Sequence, residues 1–176
     1  MHRWTTFAAT CALALAACAT GSESGGAAPS ASSSDFTPTG AITGYLSNAT
    51  FDATHVVGPK INASLRSDGS WGGTIGTEGR ALFHVYKDGT LSGPDLTMTI
   101  SKAGQVLTVT GQFQGRILRF EVSPTVLKVR TDTRSLDFNG DGKGVYQGPK
   151  TVTFTGEAVS VPPTVPFALA LVASFF

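Results

Sequence analysis

A chain of 176 residues suits one domain once any processed segment is set aside. Asp, Glu, Lys and Arg make up only 14% of it, against roughly 25% in ordinary domains, and the formal charge is +1. That balance leaves no basic field to attract nucleic acid and no acidic field to hold a cationic partner. The 21 glycines, with recurrent Ser and Thr, favour turns and strands over long helices.

The first segment has three parts. His2 and Arg3 form a short basic start, Phe7 to Ala17 is an apolar run of eleven residues, and small residues close it. Eleven apolar residues are too few for a hydrocarbon core that needs about 20, so residues 1–17 are expected to be a secretory signal rather than a membrane helix. The closing residues Leu15-Ala16-Ala17-Cys18 resemble the lipobox of bacterial lipoproteins. The resemblance implies cleavage before Cys18, lipidation of its sulfur and anchoring in a lipid bilayer. Ala19 in place of Asp implies outer-membrane sorting if the cell is Gram-negative. The competing reading takes Ala17-Cys18-Ala19 as an ordinary signal-peptidase site, which would remove Cys18. Cys11 is the other cysteine and leaves with the leader, so the mature domain is expected to hold no disulfide.

Residues 18–38 are expected to be a tether. The run from Ala19 to Pro38 is rich in Ser, Gly and Ala and poor in large apolar groups, so it cannot offset the entropy of ordering. As a flexible coil it would reach about 25 Å.

From residue 39 to 176 the pattern is all-β. Apolar side chains recur with period two: Ile61, Ala63 and Leu65; Trp71, Gly73 and Ile75; Leu96, Met98 and Ile100. The same holds for Leu107, Val109, Gly111 and Phe113, then for Leu118, Phe120 and Val122, for Leu127 and Val129, and for Val152 and Phe154. Ala81 to Lys87 reads as another strand. Asp68-Gly69, Asp88-Gly89 and Ala103-Gly104 mark turns between them. The pattern predicts about 8–10 short antiparallel strands in meander order, forming a barrel or a two-sheet sandwich. The stretch from Phe167 to Phe176, FALALVASFF, is apolar on both faces. It is expected to be a central or barrel-closing strand paired near Ile42 to Leu46. A terminal Phe also resembles the end of outer-membrane β-barrel proteins, whose lipid-facing side is apolar.

Asp137, Asn139, Asp141 and Lys143 stand at the spacing of D-x-N-x-D-G and resemble the first half of a calcium loop. Oxygen groups at alternate positions could converge on Ca²⁺, with the Lys143 carbonyl as a further ligand. Gly148 stands where the bidentate Glu of such loops is expected, so the alternative is a polar hairpin loop. No motif of nucleophilic, zinc or phosphate chemistry occurs in the sequence. His84 could line a pocket with Tyr86, and Trp71, Tyr45, Tyr86 and Tyr146 could stack on a sugar. Packing explains each of these equally well.

These observations favour a membrane-anchored exported lipoprotein whose β domain binds or builds rather than catalyses. One alternative is a β-barrel carrier of a small apolar ligand, with a cavity lined by Phe113, Phe120 and Phe154. The others are a small outer-membrane β-barrel and an enzyme of unrecognised type.

Overall fold

Period-two alternation becomes fifteen antiparallel strands joined into one sheet. The computed structural model describes residues 36–176 except 77–78, 81–82 and 87, and the backbone alone of 79–80. The first eight strands are β1 (Gly40–Thr43), β2 (Asn48–Phe51), β3 (His55–Gly58), β4 (Ile61–Leu65), β5 (Trp71–Ile75), β6 (Gly79–Arg80), β7 (His84–Val85) and β8 (Thr90–Ser92). Then come β9 (Leu96–Ala103), β10 (Val106–Phe113), β11 (Arg116–Ser123), β12 (Val126–Thr131), β13 (Ser135–Gly140), β14 (Val145–Gln147) and β15 (Val152–Gly156). The all-β expectation stands. The strand number exceeds the predicted 8–10, because pieces of two to four residues are too short to show a period.

The strand order is a meander from β1 to β6 and from β7 to β15, joined where β1 pairs with β15. Its two ends also meet. Thr74 faces Arg80, and the same offset continues at Trp71 and Phe83, whose backbones exchange both hydrogen bonds at 3.0 and 3.1 Å. Val85 beyond them pairs with Leu91 of β8. The sheet is therefore barrel-like rather than a sandwich, and it conceals the edges that open sheets expose.

The C-terminal stretch corrects the sequence expectation. It is not a strand but helix α1 (Val165–Phe175), and every residue from Pro166 to Phe175 is buried. A helix apolar on all sides needs an apolar environment on all sides. The lumen of this barrel supplies it. Phe167 meets Phe51 of β2 and Phe154 of β15 edge to face, with ring centres at 6.1 and 5.6 Å. Phe175 meets Phe120 of β11 and Phe138 of β13 at 5.6 and 6.0 Å. Eleven residues rise about 16 Å, matching strands of four to eight residues that span roughly 13–27 Å. Pro166 in the first turn costs nothing there, since the first amides have no helical partner.

Two devices seat the helix. At its start, Val161 takes a left-handed φ of 51°, unusual for a β-branched residue, and Lys102 Nζ donates to the Val161 carbonyl at 2.7 Å. At its end, the Ser174 carbonyl accepts from the amides of Leu46 and Ser47 at 2.9 and 3.3 Å. Lys60 Nζ donates to the Phe176 backbone oxygen at 2.6 Å. These bonds satisfy carbonyls that a helix terminus leaves without partners. Gly44, in the turn after β1, lies so close that a β-carbon there would collide with the Ser174 side chain.

Candidate functional site

Phe51, Phe120, Phe138 and Phe154, at inward positions of the strands, pack on the helix, so recognition falls to the outer surface and the two ends. At the end where α1 finishes there is a cavity of about 290 Å³. Its floor is aromatic, with Phe113, Phe175 and Phe176, and its rim carries Gln114, Arg116, Thr131, Thr133 and Arg134.

The register explains how arginines came to line it. Directly paired residues of an antiparallel ladder share a face. Arg116 pairs with Phe113, whose side chain is buried in the barrel. Arg116 also continues the inward series Leu118, Phe120 and Val122 of β11, all buried. Arg134 in the same way continues the series Leu136 and Phe138 of β13. Both are thus charged residues at core-facing positions, placed where the core opens to water.

Two turns hold them. Gln114 and Gly115 have φ of 49° and 75°, and both positive values are what a two-residue type I′ hairpin needs. That turn sets Arg116 directly opposite Phe113. In the turn after β12, the Thr131 hydroxyl oxygen accepts the amides of Thr133 and Arg134 at 3.2 and 2.8 Å. The Thr131 amide donates back to the Arg134 carbonyl at 2.8 Å.

Several other cations are engaged. Arg119 bonds Glu121 at 2.7 Å, Arg130 bonds Asp137 at 2.6 Å, and Lys150 donates to the Tyr45 carbonyl at 3.1 Å. Neither the Arg116 nor the Arg134 guanidinium has a hydrogen-bond acceptor or carboxylate partner among the described residues. Asp95 and Asp132 stand on loops at this same end, outside the cavity lining.

The sequence-predicted residues are elsewhere. Cys18, the signal segment and the tether up to residue 35 lie outside the described residues. Phe36, inside the expected tether, already places its ring 5.9 Å from that of His55. Asp137 and Asn139 lie on β13 with side chains exposed, not on a loop, and Asp137 holds Arg130. Asp141 forms the turn after β13, where its carboxylate accepts the amides of Lys143 and Val145 at 2.7 and 3.0 Å. Lys143 is exposed on that turn. Among the described residues no three His, Cys, Asp or Glu groups come together as metal ligands.

His84 and Tyr86 are exposed, not turned into a pocket. Trp71 and Tyr146 are core residues, the first stacked on Phe83 at 6.4 Å and 8°. Tyr45 lies against Phe175, and only Tyr86 of the four is openly exposed. Phe113, Phe120 and Phe154 pack on Phe176, Phe175 and Phe167, so the helix occupies the lumen they enclose.

Among the described residues, Asp52, Thr54 and His55 form a cluster that imitates a catalytic arrangement. Thr54 Oγ1 and Asp52 Oδ1 both approach His55 Nδ1, at 2.9 and 3.4 Å. A proton relay needs the hydroxyl and the carboxylate on opposite ring nitrogens. This cluster instead caps a turn: Asp52 Oδ1 also accepts the amides of Thr54 and His55 at 2.6 and 2.7 Å.

Neither a protein-family model, a curated protein nor a solved structure matches this chain.

Proposed function

We propose that the chain is an exported lipoprotein, anchored through Cys18, whose β domain is a non-catalytic binding or structural module. The observation that carries the second half is the filled lumen. With α1 occupying the interior, Phe113, Phe120 and Phe154 pack on Phe176, Phe175 and Phe167, which favours recognition at the ends over carriage of an apolar ligand inside. The Leu15-Ala16-Ala17-Cys18 motif and the Ser/Gly-rich run after it support the anchor. Metabolic labelling with a palmitate analogue tests that half. Label is expected on the full chain and absent from Cys18→Ala. A Cys18→Ala chain that still takes up label removes the lipobox reading.

The faces of the strands favour this module over an outer-membrane barrel. The inward side is apolar, whereas Thr97, Thr99, Arg119 and Lys128 project to the outside. A lipid-facing strand needs the reverse.

A further inference from the structure

We propose that the cavity where α1 ends binds a small organic anion, a carboxylate or phosphate monoester on an aromatic or short apolar body. The inference rests on the reading of the domain as a binding module, and it names what the module binds.

Three independent features point to that ligand class. The first is register: Arg116 and Arg134 occupy core-facing positions, where an apolar residue would continue the series and extend the hydrophobic packing. The second is their lack of a partner. Lys60, Lys102 and Lys150 all donate to backbone carbonyls of the barrel or helix, which accounts for their positions. The guanidinium groups of the two arginines have no such acceptor among the described residues, and both residues line the cavity. A guanidinium offers a fixed fork of donors that matches the two oxygens of a carboxylate or phosphate. The third is the floor. Phe113, Phe175 and Phe176 give an apolar surface beside those donors, and the Thr131, Thr133 and Gln114 side chains add neutral polar groups at the rim. A volume of about 290 Å³ lies at the small end of ligand sites, which run ~300–1,000 Å³, so the ligand is a compact molecule rather than a long acyl chain.

The backbone that carries these residues is fixed. Arg116 follows a two-residue hairpin, Arg134 is in a turn closed by the Thr131 hydroxyl, and Phe175 is part of a buried helix. Only the two arginine side chains then need ordering when the anion arrives.

Calorimetric titration of the full-length protein tests this with benzoate, phenyl phosphate and the neutral benzyl alcohol. Saturable one-to-one binding of benzoate or phenyl phosphate is expected, with benzyl alcohol at least tenfold weaker. The preferred anion identifies the source, carboxylate or phosphate. The Arg116→Gln, Arg134→Gln double variant should lose at least tenfold in affinity. The unaltered protein gives a second test: raising ionic strength from about 0.02 to about 0.5 M should weaken the anion several-fold, because the rim is open to screening. No saturation by either anion up to about 10 mM overturns the proposal, since a charged, pre-formed site should hold a ligand of this size more tightly. Benzyl alcohol binding as tightly as benzoate overturns it as well. So does a folded double variant that binds unchanged, which would leave the arginines as partners of the helix C-terminus only. The palmitate label does not enter this titration, so the anchor and the anion site can fail separately.

Discussion

Asp52, Asp68, Asp88 and Asp141 show how single carboxylates shape one end of the barrel. Each sits in a turn and accepts hydrogen bonds from groups a few residues ahead. Asp68 is held below the ordinary value of 3.8 first by the Ser70 hydroxyl, Asp88 by the Thr90 amide and Asp141 by the Val145 amide. For Asp52 burial pushes upward, and the Thr54 and His55 amides outweigh it. All four shifts favour the ionised form, the opposite of what a general acid needs. Their folded pKa values lie below those of the unfolded chain. The stability they contribute is therefore complete above the unfolded value of 3.8 and is lost as pH falls through the lower folded values. The melting temperature followed by circular dichroism is expected to fall below about pH 4, less steeply in an Asp88→Asn, Asp141→Asn variant. A flat profile down to about pH 2 would contradict this. Tyr146 moves the other way. Burial, with Asp141 nearby, pushes its phenol up to about 12, and the protonated hydroxyl donates to the Ser123 carbonyl at 2.9 Å.

At the scale of elements, α1 is the piece on which the barrel closes. Its side chains meet both arms of the meander: Phe51 of β2 and Tyr45 of the turn after β1 on one side, Phe120 and Phe138 on the other. Leu171 lies mid-helix with no exposed surface. Leu171→Ala is expected to cost about 2–5 kcal/mol in denaturant unfolding, the range for a buried leucine whose neighbours cannot collapse into the gap. A loss under about 1 kcal/mol would mean the helix is not packed as described. The helix is also where reading the sequence failed. In FALALVASFF the large residues Phe167, Leu169 and Leu171 alternate with smaller Ala168, Ala170 and Val172, which imitates the period of a strand up to Ala173. Burial on every side removes the polar face that normally reveals a helix. The arginines of the cavity were legible in principle. Extending the inward series of β11 back from Leu118 reaches Arg116, and that of β13 back from Leu136 reaches Arg134. The turns that aim them depend on Gln114 at positive φ and on a threonine hydroxyl, which leave faint marks in sequence.

The barrel formed by the described residues is mostly polar outside, apolar inside and different at its two ends. Asp52, Asp68, Asp88 and Asp141 lie on turns at the end where α1 begins, and Lys60, Arg116, Arg134 and Lys150 gather where it finishes. A polar exterior with a packed interior predicts that residues 36–176 are produced without detergent as a monomer that unfolds cooperatively. Size-exclusion chromatography and thermal melting check this, and a domain that stays in solution only in detergent would favour the membrane-barrel alternative. The amino-acid sequence alone determined which side of each long strand faces inward, because alternation is a local property and one slip in register would turn every apolar group to water. It also carries the Leu15-Ala16-Ala17-Cys18 motif on which the proposed anchor rests. Only the tertiary structure decided that the last apolar stretch is a helix, and that two arginines on inward positions share one cavity with its aromatic end. The physical reason is common to both. An apolar segment takes the form its surroundings can bury, and those surroundings exist only once strands distant in sequence have closed around it.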